Sequence, residues 1–535
     1  MSIRVFYCNL EGELWRRVVV KLHDTYAWTP CYCSAEESNK PEIMKQFPEV
    51  IFHDTFDAIR AIPPNELEDM RLEALDQQLL VELSYHESIL LKMMDRMDTY
   101  GDSFTYPDRI RLYHFLIRYW MTVLKKIRPE LIVFPSVPHT LYDYVVYILA
   151  QKLNIRTILF GLTSMDGYTL PMEKIDEPTL LQINYSDLLQ DHAYSFELSE
   201  TTKDYLNRLR GPDYSKAAPS FSADYAELVK EKGNQVRSRF YRSVQKASFI
   251  PRDFMIRLNA SSSIKKTYWK KKGRSFENSV WTDKEYRRMM LREKYQRAEF
   301  EKYYRSLTDD YDPNVPFVYI ALHYQPEQTT SPSGDMFVHQ YLLVDLISKI
   351  IPDDWQIYVK EHYYQFVPNR SLGNRSRTYS FYDDLADMPN VKLVPIETAP
   401  WDLIDNCQCS ASVTGTTGWE SVVRGKPSLI FGHVWYRGCE GVFYTPNANL
   451  CKQAIDTIIG GYQVDYKKVQ LFAHILEKIG CRGYSRMGKK DIKFALSMEE
   501  NVNALSEAIT KMFYERNNSE IDRVDANYDN RVLGS

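Results

Sequence analysis

Short apolar segments alternate with amphipathic segments over the first third of the chain. The run RVFYCN predicts a strand, residues 11–26 predict a helix, and LIVFPSVPHTLYDYVVYILAQKLNIRTILF predicts strand, loop, helix and strand in that order. Further long helices are predicted at residues 66–98 and 109–126, where apolar residues recur at helical spacing. Strands that alternate with helices are typical of a parallel sheet. We therefore predict one Rossmann-like domain over residues 1–185.

The same alternation returns in the last part of the chain. Apolar runs predict strands at PFVYIALHY, WQIYVKEH, NVKLVPI, CSASVTG and PSLIFG, and helices are predicted at residues 336–350, 400–406 and 418–424. We predict a second Rossmann-like domain with closing helices over residues 311–517 and a mobile polar tail over residues 518–535. The predicted fold class is thus α/β, with two such domains.

Residues 186–310 break this rhythm and are predicted to form a helical, basic linker region. Lys and Arg crowd the stretch 230–305, for example in IKKTYWKKKGR and EYRRMMLREKYQR. Charge runs of this kind usually coat a solvated surface. Two functional interpretations stay open beside that one. The region could face an anionic acceptor or the anionic inner leaflet of a membrane, or it could bind RNA, although no RNA-binding motif supports this.

Length and composition limit the classes of function. The 535 residues predict two to four domains, and the formal net charge of −4 gives no general bias toward nucleic acid. The chain shows no run of about 18 apolar residues and no signal peptide, so we expect a cytoplasmic protein with at most peripheral membrane contact. The pairs Cys31/Cys33 and Cys407/Cys409 lack zinc-site spacing. We expect them to be buried, reduced thiols.

The stretch VTGTTGWESVVRGKP carries the first candidate site. A strand is predicted to end at Val413 and a helix to begin near Gly418, so the turn presents unpaired N–H groups and the positive end of a helix dipole. Glycine lets a ligand approach the backbone closely, and threonine hydroxyls add donors. These features predict an anion site, most simply for a nucleotide phosphate. The predicted ligands are Gly415, Thr416, Thr417 and Gly418, with Glu420 accepting ribose or sugar hydroxyls.

An ordinary strand-to-helix turn is the competing interpretation of this stretch. It matches neither the P-loop nor the dinucleotide-binding fingerprint. Gly425 and Pro427 are predicted to end the helix and lead into the next strand, which makes Lys426 part of a structural turn.

Polar residues also follow two other predicted strands of the same domain. In an open α/β sheet, ligands bind at the carboxyl ends of the strands. We therefore predict that these side chains share one rim with the GTTG turn and bind the same nucleotide. They are His323, Gln325 and Glu327 after one strand, and Lys360, Glu361 and His362 at the end of another.

The motifs ALHYQPEQTTSPSGD, YVKEH and VTGTTGWESVVRGKPSLIFG together resemble the capsule polysaccharide biosynthesis family of bacterial glycosyltransferases. The resemblance covers residues 311–445 and, more loosely, the stretch PELIVFPSVPHTLYDYVVYILAQKLNI. It implies a GT-B-like architecture of two Rossmann-like domains facing a cleft, and it is not specific for the sugar. In the family a proline usually follows Lys-Glu-His, whereas Tyr363 stands here. Proline would restrict His362 to extended conformations, so the geometry of this loop is the point of departure from the family.

The resemblance implies a metal-independent transferase without a cofactor, in which helix N-termini and basic side chains neutralise the leaving phosphate. Its substrate would be a CMP-, UDP- or GDP-sugar, and some members of the family transfer Kdo from CMP-Kdo. A catalytic base is then expected in the first domain. Candidates after predicted strands are Glu11 or Glu13, His139, Asp143 and Asp166. We favour His139, because it can titrate near neutrality.

The leading hypothesis is a glycosyltransferase of bacterial surface, or capsular, polysaccharide synthesis. Its partners would be a nucleotide sugar, an acceptor glycan that could be lipid-linked, and the anionic inner face of the cell membrane, with no nucleic acid. Two alternatives stay open: a nucleotide-sugar epimerase of GT-B-like fold, and a non-catalytic polysaccharide-assembly protein. The sugar, the acceptor and the stereochemical outcome do not follow from the sequence.

Overall fold

A computed structural model describes residues 2–10, 12–96, 105–190, 195–212, 297–325, 327, 329–366, 377–485 and 496–515. Glu11, most of the basic stretch 230–305 and the tail 518–535 lie outside the described residues, so the expectations for them remain predictions. All eight cysteines are described; each is buried and none forms a disulfide, as expected.

Strands of the described residues form two sheets. They are β1 Arg4–Leu10, β2 Thr29–Ala35, β3 Ile51–Asp54, β4 Leu131–Phe134, β5 Arg156–Leu162, β6 Tyr168–Met172, β7 Phe317–Ala321, β8 Gln356–Lys360, β9 Val391–Leu393, β10 Cys409–Ser412, β11 Ser428–Ile430, β12 Val442–Tyr444 and β13 Cys481–Arg482. The first sheet has the order β13-β6-β5-β4-β1-β2-β3, and the second has the order β12-β11-β10-β7-β8-β9.

Nearly all strand pairs are parallel. In the first sheet β1 to β5 are parallel, whereas β6 is antiparallel to both β5 and β13. The second sheet is parallel throughout. This confirms the predicted α/β class with two Rossmann-like sheets.

Helices connect the strands. They are α1 Gly12–Tyr26, α2 Lys40–Gln46, α3 Thr55–Ile59, α4 Gln77–Glu82, α5 Ser84–Met93, α6 Tyr106–Ile127, α7 Tyr142–Lys152, α8 Leu180–Gln190, α9 Glu200–Arg210, α10 Tyr341–Ser348, α11 Tyr379–Ala386, α12 Pro400–Asn406, α13 Thr416–Val423, α14 Ala448–Ile459, α15 Tyr466–Ile479 and α16 Met498–Glu515. Short 3₁₀ helices lie at Glu37–Asn39, Asn65–Leu67, Met94–Arg96, Asp335–Val338 and Tyr363–Gln365. Residues 297–306 are also helical.

The described residues divide into two compact units whose boundaries differ from the predicted ones. The first unit comprises Met1–Ala74, Leu116–Asp187 and His474–Ser535, and the second comprises Leu75–Phe115 and Leu188–Ala473. The C-terminal helix α16 belongs to the first unit because its apolar face, including Leu505 and Ile509, is buried in the same core as Trp15 and Phe160. Hydrophobic burial, which is indifferent to sequence separation, decides this assignment.

The long helix predicted at residues 66–98 is interrupted in the structure. Residues 68–76 have no regular structure. The N–H of Glu73 donates to Thr122 Oγ1 at 3.1 Å, and Arg118 Nε donates to the Glu73 carbonyl at 2.9 Å. These side chains satisfy backbone groups that a helix would otherwise pair. Asp76 then caps α4 by accepting the N–H of Leu79 at 2.8 Å.

Candidate functional site

The order of strands identifies a crevice in each unit. In a doubly wound sheet the ligand crevice lies where the strand order reverses, outside the carboxyl ends of the two central strands. That point falls between β1 and β4 in the first sheet and between β7 and β10 in the second. The loops that open there begin at Leu322 after β7 and at Val413 after β10 in the second unit.

The GTTG turn forms the N-terminus of α13 in the second unit. Gly415 is the N-cap residue, with an extended backbone (φ −73°, ψ 155°) and no side chain to cap the helix. The helix therefore begins at Thr416, two residues before the predicted start. Thr416 is exposed and Thr417 half-buried, and neither backbone N–H has an acceptor among the described residues. The turn thus presents two helix N–H donors and the positive end of the dipole toward the crevice.

Gly418 packs closely against Tyr436. A Cβ atom at this position would lie 2.6 Å from Tyr436 Oη and 3.0 Å from Ser428 Oγ. Glycine is required here because the tyrosine ring packs against the helix backbone; contact with a ligand stays a prediction. The Tyr436 hydroxyl in turn donates to the Gly415 carbonyl and so fixes the turn.

Gly418→Ala is expected to lower the free energy of unfolding by about 1–3 kcal/mol, because the added methyl overpacks the site. In the Tyr436→Phe background, Gly418→Ala should lower the free energy of unfolding by less than it does in the wild type, since the colliding oxygen is gone. Urea unfolding of the four proteins measures the coupling. Strictly additive losses would contradict the proposed collision.

Glu420 lies one turn into α13 and is buried. Its Oε2 accepts from Trp401 Nε1 at 3.0 Å, and its Oε1 accepts from Thr416 Oγ1 at 3.0 Å. Burial raises the pKa of this carboxyl, which its hydrogen bonds and Arg424 partly offset. Each oxygen keeps a further lone pair, so the predicted acceptance of ligand hydroxyls stays a prediction.

His323 joins the two central strands of the second sheet. Its Nε2 accepts the Thr414 N–H at 3.0 Å, and its backbone exchanges hydrogen bonds with the Gln340 side chain at 2.6 and 3.2 Å. Because Nε2 is an acceptor, the neutral ring carries its proton on Nδ1. The side chain is only 7% exposed. His323 thus holds the GTTG turn in place, a role that the sequence did not indicate.

The stability of the protein should fall as the pH falls from about 6.5 to 4. Burial and the nearby Arg377 lower the pKa of His323 to about 4, so the unfolded chain binds more protons in this window than the folded chain does. His323→Gln keeps an acceptor for the Thr414 N–H and removes this titration. Within this window the free energy of unfolding should change less steeply with pH in the variant than in the wild type, by on the order of 1.4 kcal/mol per pH unit. Unfolding free energies at several pH values test this, and parallel slopes would contradict it.

A buried ion pair, which no sequence pattern indicated, lies beneath the rim of the second unit. Arg377 is 2% exposed and Glu361 is fully buried. Arg377 donates to both oxygens of Glu361. It also donates to Gln325 Oε1 at 2.9 Å and to the His323 carbonyl at 2.9 Å. The Tyr382 hydroxyl and the His362 N–H donate to Glu361 at 2.8 and 2.7 Å.

This network changes the roles expected for Gln325 and Glu361. Besides Arg377, Gln325 contacts the Val338 carbonyl through Nε2 at 2.7 Å and the Gln365 side chain through its backbone N–H at 3.1 Å. Both residues are buried and their polar atoms bind other parts of the protein. They hold the loops after β7 and β8 together, and their binding to a nucleotide stays a prediction.

Lys360 and Glu327 occupy less accessible positions than predicted. Lys360 is 6% exposed, and burial lowers the pKa of its amine to about 8, although Glu397 and Glu361 lie nearby. Glu327 is half-buried; its Oε2 accepts from Thr329 Oγ1 at 2.9 Å, and its carbonyl accepts the Ser331 N–H at 3.1 Å. Burial raises the pKa of the Glu327 carboxyl.

The loop at His362 adopts the conformation that proline would impose, although Tyr363 follows it. His362 has φ −71° and ψ 128°, and its Nδ1 accepts the Tyr364 N–H at 3.1 Å to cap the 3₁₀ helix Tyr363–Gln365. A side-chain cap thus replaces the steric restriction of proline. Burial and the neighbouring Lys360 lower the pKa of the half-buried ring to about 3, so it is neutral at physiological pH.

The corresponding crevice of the first unit is bordered by the loop after β4. His139 is half-buried in this loop, and its Nδ1 lies 2.8 Å from the Val137 carbonyl. Asp143, in the first turn of α7, is 2% exposed and accepts three backbone N–H groups, from His139, Thr140 and Tyr144. Its carboxylate therefore binds the backbone of its own loop, and a direct catalytic role for it stays a prediction.

The remaining candidates of the first unit are more scattered. Glu13 is exposed in the first turn of α1, with Oε1 3.9 Å from Arg17 Nη1. Asp166 is half-buried in the hairpin between β5 and β6, one strand away from the crevice. Glu11 lies outside the described residues. The catalytic roles of Glu13 and Asp166 stay predictions.

Two absences hold for the described part of the chain. Within it, no group of three or more His, Cys, Asp and Glu side chains could hold a metal ion. None of its helices is long and apolar enough to cross a membrane.

Comparisons with known proteins give weak similarities. No protein-family model and no curated protein matches the chain. Among solved structures, the chain is similar to UDP-GlcNAc 2-epimerase from Methanocaldococcus jannaschii, with 12% identity over 89% of this chain and 100% of that one and a TM-score of 0.24. It is similar to the calicheamicin glycosyltransferase CalG4, with 9% identity over 89% and 94% and a TM-score of 0.19.

A third similarity is to the KpsC beta Kdo 2,7 transferase of Thermosulfurimonas dismutans, with 14% identity over 36% of this chain and 65% of that one and a TM-score of 0.19. Likenesses at these identities and TM-scores do not establish an activity. The α/β class rests on the two sheets themselves, and each sheet has its crevice where the strand order reverses.

Proposed function

We propose that the protein is a glycosyltransferase that takes a nucleotide sugar as donor and binds its phosphate at the N-terminus of α13. The observation that carries the proposal is the position of this N-terminus. Thr416 and Thr417 present backbone N–H groups without described acceptors at the reversal point of the second sheet. Helix N-termini at such crevices favour phosphate through oriented N–H groups and the helix dipole.

The same geometry suits a leaving phosphate. As the bond between the anomeric carbon and the phosphate oxygen breaks, its electron pair moves to that oxygen and negative charge grows there. N–H donors that are already fixed by the His323 and Tyr436 hydrogen bonds can stabilise this charge without reorganisation. Preorganisation of this kind is the usual source of catalysis where phosphate is the leaving group.

His139 of the first unit is the proposed base. The carbonyl of Val137 can only accept, so Nδ1 carries the proton and Nε2 of the neutral ring has the lone pair. Nε2 would take the proton of an acceptor hydroxyl while the hydroxyl oxygen bonds to the anomeric carbon. The proton ends on His139 and the electron pair on the departing nucleotide.

The finer parts of the proposal rest on the sequence motifs. They are a CMP-, UDP- or GDP-sugar as donor, Kdo being one possible sugar, and an acceptor glycan, lipid-linked or free, of capsular polysaccharide synthesis. They also include action at the inner face of the cell membrane. The extended backbone at His362 supports this resemblance, since the loop keeps the conformation of the Lys-Glu-His-Pro motif without its proline.

Thermal unfolding with CMP, UDP and GDP, each as the nucleotide and as a nucleotide sugar, tests the donor site. At least one nucleotide is expected to raise the Tm. At a nucleotide concentration of 100 times its Kd, the free energy of unfolding should rise by about 2.7 kcal/mol. The absence of any shift at millimolar concentration would overturn the proposal.

Product analysis then separates the kinds of reaction. Nucleotide release that requires an added glycan supports transfer. Interconversion of the donor without an acceptor would instead indicate an epimerase, and nucleotide binding without turnover of any donor would indicate a non-catalytic assembly protein.

A further inference from the structure

The loop between β4 and α7 contains a strained residue. Leu141 has φ 79° and ψ −69°, a conformation close to the γ-turn that is rare for residues with a side chain. Leucine has a bulky side chain, and this one is buried at 2% exposure. Such backbone strain persists only where the surrounding structure holds it, and it is concentrated at functional sites.

The carboxylate of Asp143 holds this loop through three hydrogen bonds. Its Oδ2 accepts the His139 N–H at 3.1 Å, and its Oδ1 accepts the N–H groups of Thr140 and Tyr144 at 2.6 and 2.7 Å. Two of these donors precede the strained Leu141 and one follows it. Charge-assisted hydrogen bonds to backbone N–H groups are among the stronger ones in proteins, so a single buried carboxylate spans the strained turn.

The strained loop also fixes the ring of His139. The hydrogen bond from Nδ1 to the Val137 carbonyl, two residues earlier, holds the His139 ring against its own loop. A second partner of this kind selects one tautomer of a functional histidine and orients its other nitrogen. The backbone carbonyl takes the place that a carboxylate has in many catalytic histidine pairs.

We propose that Asp143 is a positioning residue, which keeps the loop 136–141 in its strained conformation and so fixes the tautomer of His139 that could accept a proton at Nε2. The proposal rests on the proposed function only in naming an acceptor hydroxyl as the source of the proton. A carboxylate that merely capped α7 would stabilise the helix without affecting the tautomer of His139.

Nitrogen-15 NMR of the histidine side chains, with His139 assigned by its loss in His139→Gln, reads the tautomer directly. In the wild type the neutral ring of His139 should carry its proton on Nδ1. In Asp143→Asn the form protonated on Nε2 should become detectable, because the asparagine amide cannot accept all three N–H groups. An unchanged tautomer in Asp143→Asn would overturn the proposal.

Asp54 provides a matched control in the same unit. Its carboxylate also accepts three backbone N–H groups, from Glu37, Phe56 and Asp57, at the end of β3. Asp54→Asn should leave the His139 tautomer unchanged. The same change of tautomer in both variants would overturn the proposal, since it would reflect general loosening of the sheet edge.

Glycine at position 141 tests the strain. Glycine adopts positive φ without steric cost. Asp143→Asn should therefore change the His139 tautomer less in the Leu141→Gly background than it does in the wild type, so Asp143→Asn/Leu141→Gly should be close to the wild-type tautomer. If Asp143→Asn does not accumulate as folded protein, recovery of folded protein in the double variant supports the proposal. If neither Leu141→Gly nor Asp143→Asn/Leu141→Gly shows the wild-type tautomer of His139, the proposal is overturned.

Activity provides a separate measurement. If the proposed transfer occurs, kcat of Asp143→Asn should fall at least tenfold while KM for the donor changes less than twofold, because the donor lies in the second unit. A normal kcat with an altered tautomer would overturn the role of His139 as base. The absence of turnover in the wild type would overturn the proposed function and leave the tautomer result standing.

Discussion

Arg377→Met is expected to lower the free energy of unfolding by about 3–5 kcal/mol. The substitution removes the cation from a buried pair and leaves the Glu361 carboxylate, among the described residues, with the Tyr382 hydroxyl and the His362 N–H as donors. It also leaves the His323 carbonyl and Gln325 Oε1 without the guanidinium that binds them. Urea unfolding, followed by circular dichroism, measures the loss.

Arg305 offers the matched control for this prediction. Its guanidinium lies 2.7 Å from Glu397, but the arginine side chain is 38% exposed. Arg305→Met should therefore cost only about 0.2–1 kcal/mol, as exposed pairs generally do. In the double variant Arg377→Met/Glu361→Gln the loss should be smaller than in Arg377→Met, because the carboxylate that lost its cation is also gone. Equal losses in the Arg377 and Arg305 variants would contradict the importance assigned to the buried pair.

Gly415→Asp is expected to abolish nucleotide binding without unfolding the protein. Gly415 already has the extended backbone of an N-cap residue, and a Cβ there would lie 3.4 Å from His323 Cε1 and Ser412 Oγ, an ordinary contact. Aspartate is a favoured N-cap residue, so the Tm should stay the same or rise slightly. Its charge at about 4 Å from a bound phosphate costs on the order of 4 kcal/mol at an effective dielectric constant of about 20. The Kd for the nucleotide should rise at least 100-fold.

Gly415→Ser is the neutral counterpart of this variant. Serine caps the helix in the same way but brings no charge. The Kd for the nucleotide should therefore rise by no more than about threefold to tenfold over the wild type. Isothermal titration calorimetry with the nucleotide that gives the largest thermal shift measures both variants. Undiminished binding by a folded Gly415→Asp protein would locate the phosphate away from α13.

Much of the architecture could be predicted from local pattern. The strands β7, β8, β10 and β11 lie within the predicted apolar runs, and helix α12 has the predicted bounds 400–406. Gly425 has φ 84° and Lys426 Nζ donates to the Cys407 carbonyl at 3.0 Å, which confirms the structural turn predicted there. These features depend on neighbours in sequence, and apolar periodicity and glycine therefore reveal them.

The roles of individual polar residues could not be predicted in the same way. Arg377 lies 16 positions from Glu361, and no spacing rule connects two side chains that meet only in the folded structure. His323, Gln325 and Glu361 are polar residues after strands, which is the pattern of ligand-binding residues. The same pattern also arises where buried polar groups hold neighbouring loops together.

The sequence by itself determined two α/β regions, the positions of their central strands and the polar loops that follow them, because alternation and turn residues act locally. Only the tertiary structure decided which of those polar groups are exposed. Burial committed Gln325, Glu361 and Asp143 to protein partners, left the N–H groups of Thr416 and Thr417 at the crevice, and brought α16 into the first unit. A side chain can bind a ligand only with atoms that packing leaves accessible, and packing is a property of contacts between distant parts of the chain.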